Sequence, residues 1–241
     1  MGLKLVTLAL LFVLPVSIAK STGITEPDLP ALTLLDRLTA NMDMNEDQLP
    51  GRDLLWMALA GYESLNQDKR FEREQLITLI DFSLSSDQKR LWVIDLSSFE
   101  VLIHSHVSHG RNSGELYAEV FSNTPGSYTS SAGFYSTGET YIGKHGLSLY
   151  LDGLEEGIND KARDRAIVMH GADYVSEEFI AKHGRLGRSH GCPAVPVELN
   201  EQIIKTIKGG SCLYIHSGTD CYTKQSRLLR DLQSENLFSA G

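Results

Sequence analysis

The sequence predicts a mostly β (α+β) domain that carries a helical N-terminal extension. Three observations predict it. Apolar residues at helical spacing dominate the stretch before residue 70. From Leu76 onward, short β-branched runs alternate with turn residues, and between Gly110 and Gly153 the chain is dense in Gly, Ser, Asn and Tyr. A later helical pattern, Glu198 to Lys208, stands alone among the strand signals.

The elements follow in order. Met1-Gly2-Leu3-Lys4 and the apolar run Leu5 to Ala19, ending in small residues, read as a secretory signal peptide over residues 1–19. The run is too short for a comfortable membrane span, and no cysteine follows it to carry a lipid, so no stable membrane anchor is expected. Residues 20–72 read as a linker and helical extension. Leu32, Leu35 and Leu38 mark one helix up to Met44, Pro50-Gly51 breaks it, and Asp53 is the expected cap of a second that runs to about Leu65. Residues 73–222 read as the main domain. Its strands are Leu76–Phe82, Leu91–Leu96, Val101–Val107, Arg165–His170 and Ser211–His216, and the glycine-rich middle suits loops and short strands around a groove. Residues 223–241 read as a charged, peripheral tail.

Composition narrows the function. The formal net charge is −9, which disfavours nucleic acid as a partner. There are three cysteines. In an exported chain an odd count leaves one thiol free. Cys212 and Cys221 are the natural pair for a bridge, although sequence does not fix the geometry a bridge needs.

The chemistry concentrates in Gly187-Arg188-Ser189-His190-Gly191-Cys192-Pro193, which follows His170-Gly171-Ala172. A cysteine in a glycine-flanked loop, with a histidine at an upstream strand end, is the layout of a thiol nucleophile and its base. The expectation is a thiol of lowered pKa, with backbone amides around Gly191 bared to hold an oxyanion. The pattern points to acyl transfer through a covalent thioester. No acidic partner for His170 stands at an obvious spacing, which leaves a backbone carbonyl to orient its ring.

These residues resemble the catalytic motif of the L,D-transpeptidase (YkuD-type) superfamily: a histidine, a gap, then Ser/Thr-His-Gly-Cys. The likeness extends to the murein L,D-transpeptidase catalytic domain subgroup, through Arg90–Asp95, Ser108–Gly114, Phe121–Asn123, Ser130–Tyr135, Tyr141–Gly146 and Gly187–Ala194. Together they span residues 75–216. The resemblance implies a β-sandwich with the cysteine at the base of a catalytic groove. It implies peptidoglycan stem peptides as donor and acceptor; no cofactor or metal is expected, and the signal peptide without an anchor points to the periplasm. Cys192 would attack the amide between the third residue and the terminal D-alanine of a tetrapeptide. An amine of a second stem would then resolve the thioester to a 3→3 cross-link. His170 would be the base, and the amides of His190, Gly191 and Cys192 the oxyanion donors.

One departure from the family pattern stands out. Many members carry Arg or Asn two positions after the cysteine, whereas this chain has Pro193 and Ala194. Arg188, before the cysteine, is the candidate to contact a substrate carboxylate instead. Ser189 is expected to shape the loop, and Tyr141, Lys144 and His145 to line the groove. Three rival readings remain. Water could resolve the thioester, which makes an L,D-carboxypeptidase. His104, His106 and His109 could hold zinc in a metal-dependent hydrolase. The chain could also bind peptidoglycan without catalysis.

Overall fold

The computed structural model describes residues 30–41 and 49–229; the signal-peptide reading and the end of the tail lie outside them. In chain order the elements are α1 (Pro30–Asn41), α2 (Arg52–Gln67), β1 (Leu76–Asp81), β2 (Leu91–Asp95), β3 (Glu100–Ser105), β4 (Gly133–Gly143), β5 (Gly146–Gly153), β6 (Val168–Gly171), α3 (Glu177–His183), β7 (Ala194–Val195), α4 (Val197–Ile207), β8 (Cys212–His216) and α5 (Asp220–Gln225).

The strands form one eight-stranded sheet in the order β3-β2-β1-β8-β4-β5-β6-β7. Pairing is antiparallel except for β1 with β8 and β6 with β7. The central strands are apolar on both faces because both faces are covered. Ile77 and Leu79 of β1, Trp92 and Ile94 of β2, Phe134 of β4 and Tyr214 of β8 meet Leu35 and Leu38 of α1 and Leu55 and Leu59 of α2. The alternate residues Ile80, Val93, Tyr135, Leu213 and Ile215 pack with Leu149, Met169 and the α4 residues Ile203, Ile204 and Ile207. Each fully buried side chain of this kind contributes about 1.5–3 kcal/mol. Helix α2 approaches so closely that a Cβ at Gly61 would lie 2.0 Å from Phe134 Cζ.

The sheet curls until its two edges meet. Past the end of β3, Ser108 bridges Ala194 of β7, and Gly110 bridges Ser189 in the loop before it. The mostly β class and the helical extension therefore stand, and the layers of the sandwich are parts of one continuous sheet.

Several local expectations are corrected. Asp53 is not the cap of α2: the N-cap is Gly51, without a side-chain hydrogen bond, and Asp53 lies in the first turn, where its charge favours the helix dipole. The glycine-rich middle holds the two longest strands, β4 and β5, as a hairpin whose register shifts between Thr137 and Thr140. The strand at His170 starts at Val168, because Ala166 has a φ of +53° and ends the preceding turn. The tail is not peripheral as far as Leu229. Tyr222, Ser226 and Leu229 are buried, and the Tyr222 and Ser226 hydroxyls donate to the Glu155 carboxylate. Cys212 and Cys221 are unbridged, since Cys212 is sealed in the core while Cys221 is exposed on α5.

Candidate active site

Strand register sets the two central residues. Parallel pairing of β6 with β7 places His170 beside Ala194. Cys192 lies in the loop two residues before β7, and the Val168 N–H donates to its Sγ at 3.5 Å. That contact brings Cys192 next to the strand that carries His170. Both line a cavity of about 700 Å³.

The histidine is held in one tautomer, with Nε2 free to accept a proton. Its Nδ1 lies 2.9 Å from the Gly171 carbonyl, which can only accept, so Nδ1 carries the hydrogen and Nε2 is left with its lone pair. The backbone carbonyl anticipated in place of an acidic partner is therefore found. His145, at the tip of the β4–β5 hairpin, stacks on the ring with centroids 4.5 Å apart. Burial, with His145 and Lys144 nearby, lowers the His170 pKa below its ordinary 6.5, so the ring is neutral at pH 7.

The cysteine loop is tied from within. Ser189 Oγ donates to the Cys192 carbonyl at 2.6 Å and accepts the Gly191 N–H at 3.0 Å. Ser130 Oγ donates to the Gly191 carbonyl at 3.1 Å. Gly191 has a φ of +119°, and a Cβ there would sit 2.7 Å from the Thr129 carbonyl oxygen, so no other residue fits. The expected trio of bare amides is thus a pair. The Gly191 N–H is committed to Ser189, whereas those of His190 and Cys192 have no partner among the described residues.

Burial raises the Cys192 thiol above its ordinary value, against the expectation of a lowered one. The Val168 N–H and the charges of Arg165 and Lys144 act the other way without reversing it. The half-buried thiol donates to the Ala166 carbonyl at 3.6 Å rather than to the imidazole. The resting pair is a neutral thiol and a neutral imidazole, with positive charge waiting around the sulfur.

The structure gathers the other expected residues unequally. Ser189, His190, Arg188, Tyr141, Lys144 and His145 all line the cavity. Tyr141 stacks on Tyr150 at 4.7 Å, which fixes one wall. His190 is exposed and packs its ring on Tyr128 at 4.6 Å. Arg188 does not present a free guanidinium: its Nη1 donates to Glu115 Oε1 at 2.6 Å and to the Gly114 carbonyl at 3.0 Å.

Two groups escaped the sequence reading. Arg165, read as a strand residue, lies in a turn at the cavity wall. Its Nη1 and Nη2 bond the Ser122 and Thr129 carbonyls, which aims a fixed charge toward the thiol. Arg90 is wholly buried, donates from Nη2 to His109 Nδ1 at 2.8 Å, and burial lowers its pKa to about 9. His109, pushed down to about 4, in turn accepts the Ser189 N–H at its carbonyl. Both arginines gain their meaning from partners remote in sequence. The three histidines of the zinc reading diverge: His104 stacks on Trp92, His106 meets Glu177 at 2.9 Å, and His109 meets Arg90.

No curated protein matches the sequence. Among solved structures, an L,D-transpeptidase from Mycobacterium smegmatis matches at 11% identity and a TM-score of 0.36, covering 59% of this chain and 58% of that one. The helical cell shape determining protein Pgp2 from Campylobacter jejuni matches at 14% identity and a TM-score of 0.38, covering 67% and 55%. An L,D-transpeptidase from Xylanimonas cellulosilytica matches at 13% identity and a TM-score of 0.35, covering 78% and 93%. The chain thus spans less than two thirds of the first two. At these TM-scores the structural matches add no weight, and the assignment rests on the family profile, which matches residues 48–216. By that match the chain belongs to the L,D-transpeptidase catalytic domain family, YkuD_2.

Proposed function

We propose that this chain is a peptidoglycan L,D-transpeptidase that forms 3→3 cross-links from tetrapeptide donors through a thioester on Cys192. The observation that carries the reading is the shared cavity face of Cys192 and His170, with His170 Nδ1 pinned by the Gly171 carbonyl. The neutral thiol passes its proton to His170 Nε2 as Sγ bonds to the carbonyl carbon of the third stem residue. The carbonyl oxygen becomes an oxyanion, met by the N–H groups of His190 and Cys192. Collapse breaks the C–N bond, and the D-alanine amine leaves with the proton from Nε2. An acceptor amine then attacks the thioester and loses a proton to Nε2. The C–S bond breaks, and the proton returns to sulfur.

Burial keeps sulfur neutral until attack, while Arg165 and Lys144 stabilise the negative charge that develops on it. The reading places the enzyme where murein is accessible, in the periplasm. Among the described residues no helix is long and apolar enough to cross a membrane.

The test is mass spectrometry of the chain incubated with a disaccharide tetrapeptide. Released D-alanine with a 3→3 dimer supports the transpeptidase. Released D-alanine with tripeptide alone replaces it by an L,D-carboxypeptidase on the same thioester. Absence of both D-alanine release and a 3→3 dimer overturns the reading.

A further inference from the structure

A second groove opens beside the catalytic cavity. Its volume is about 600 Å³, and its walls include Arg111, Glu115, Phe179 and Arg185. Tyr174 and Arg188 line both spaces, so the groove and the cavity share a wall next to the nucleophile loop. Three guanidinium groups face one carboxylate here, an excess of positive charge in a chain whose formal net charge is −9.

The way that one carboxylate is held is informative. Both oxygens of Glu115 are gripped: Oε2 lies 3.0 Å from Arg185 Nε, and Oε1 lies 2.6 Å from Arg188 Nη1. Two arginines, each placing one nitrogen on a different oxygen of the same carboxylate, make a carboxylate receptor. The Glu115 side chain is 68% exposed, so little packing holds it there. It follows Gly114, and it can swing out to solvent. The arginines are more sheltered, at 25% and 21%. Arg111 stands over the Tyr128 ring at 5.2 Å and has no carboxylate partner among the described ion pairs.

We propose that this groove binds a carboxylate of the acceptor stem peptide, and that Glu115 occupies the receptor until the peptide displaces it. The proposal rests on the transpeptidase reading for the identity of the ligand, and on Arg111, Arg185 and Arg188 for its chemistry. A carboxylate seated between Arg185 and Arg188 holds its peptide across the shared wall from Cys192. The acceptor amine can then reach a thioester formed in the cavity. Glu115 sets the affinity by competition: it keeps the forks aligned while the groove is empty, and it subtracts its own binding from that of the incoming group.

The test uses the full chain as its Cys192→Ala variant, so that binding is read without turnover. The probes are a murein tripeptide ending in diaminopimelate and the same peptide with its carboxylates amidated, titrated by calorimetry at low salt. The expected result is binding of the carboxylate form at least about tenfold tighter than the amide, since charge-assisted bonds to two arginines are at stake. Adding Arg111→Gln and Arg185→Gln removes that preference. Adding Glu115→Gln instead tightens binding of the carboxylate form several-fold, a gain that misfolding cannot mimic. Equal affinity for the two peptides, or a preference that survives loss of both arginines, overturns the proposal. The two readings fail separately. A chain that releases no D-alanine from a donor loses the thioester reading, while carboxylate-dependent binding through Arg111 and Arg185 still supports the groove.

Discussion

At the scale of single residues, the site is built from committed hydrogen bonds, and each commitment is testable. Cys192→Ala is expected to abolish the thioester adduct with tetrapeptide while the thermal transition is retained, because the loop is tied by Ser189 to backbone groups that Ala keeps and only one sulfur atom is lost from the edge of the core; intact mass and circular dichroism check both halves. Ser189→Ala removes the donor to the Cys192 carbonyl and the acceptor of the Gly191 N–H. Lost bonds of about 1–3 kcal/mol predict a fall of about 10- to 100-fold in kcat/KM, with folding preserved. The pH profile follows from His170. Its pKa in the folded chain lies below 6.5, so the neutral base persists as pH falls past 6.5 and is lost only below that. The acid limb of kcat/KM is therefore expected below pH 6.5; a limb above it would contradict the environment described for the ring.

At the scale of elements, the buried Arg90–His109 pair ties the β1–β2 connection to the segment after β3, whose His109 carbonyl accepts the Ser189 N–H of the cysteine loop. His109 is held near 4 when folded and titrates near 6.5 when unfolded. A depressed pKa gives stability that is fully present above the unfolded value and is lost as pH falls through the folded one. Unfolding free energy is therefore expected to drop by up to about 3 kcal/mol between pH 6.5 and pH 4. Denaturant melts across that range check it, and His109→Gln should flatten the slope there. The elements also show what a sequence makes legible. β1, β2 and β8 were visible as unbroken apolar, β-branched runs bounded by turn residues, and α4 by its helical period. β4 and β5 were hidden by glycine, serine and threonine, whose strand pairing comes from neighbours rather than propensity. β7 is too short to carry a period, and α3 has no buried residue to mark a face. The candidates Cys192 and His170 stood out because a thiol and a base for it leave a local motif. Arg165, Arg90 and the Glu155 carboxylate were not, since each is defined by contacts across the fold.

At the scale of the molecule, the helical extension and the sheet share one core. Leu55, Leu59 and Tyr62 of α2 pack on the same cluster as Phe134 and Tyr214. A fragment restricted to residues 73–222 loses that cover and also loses Ser226, a donor to the Glu155 carboxylate. It is expected to lack a cooperative thermal transition, whereas residues 30–229 retain one; calorimetry of both separates the outcomes.

The meeting of the sheet edges at Ser108, Gly110, Ser189 and Ala194 has a further consequence. The nucleophile loop is itself the seam, stitched by residues from the first half of the chain. A partly folded molecule owns its cysteine and histidine but no shaped amides, so it is a harmless thiol. On the proposed reading, catalysis therefore waits on closure of this seam.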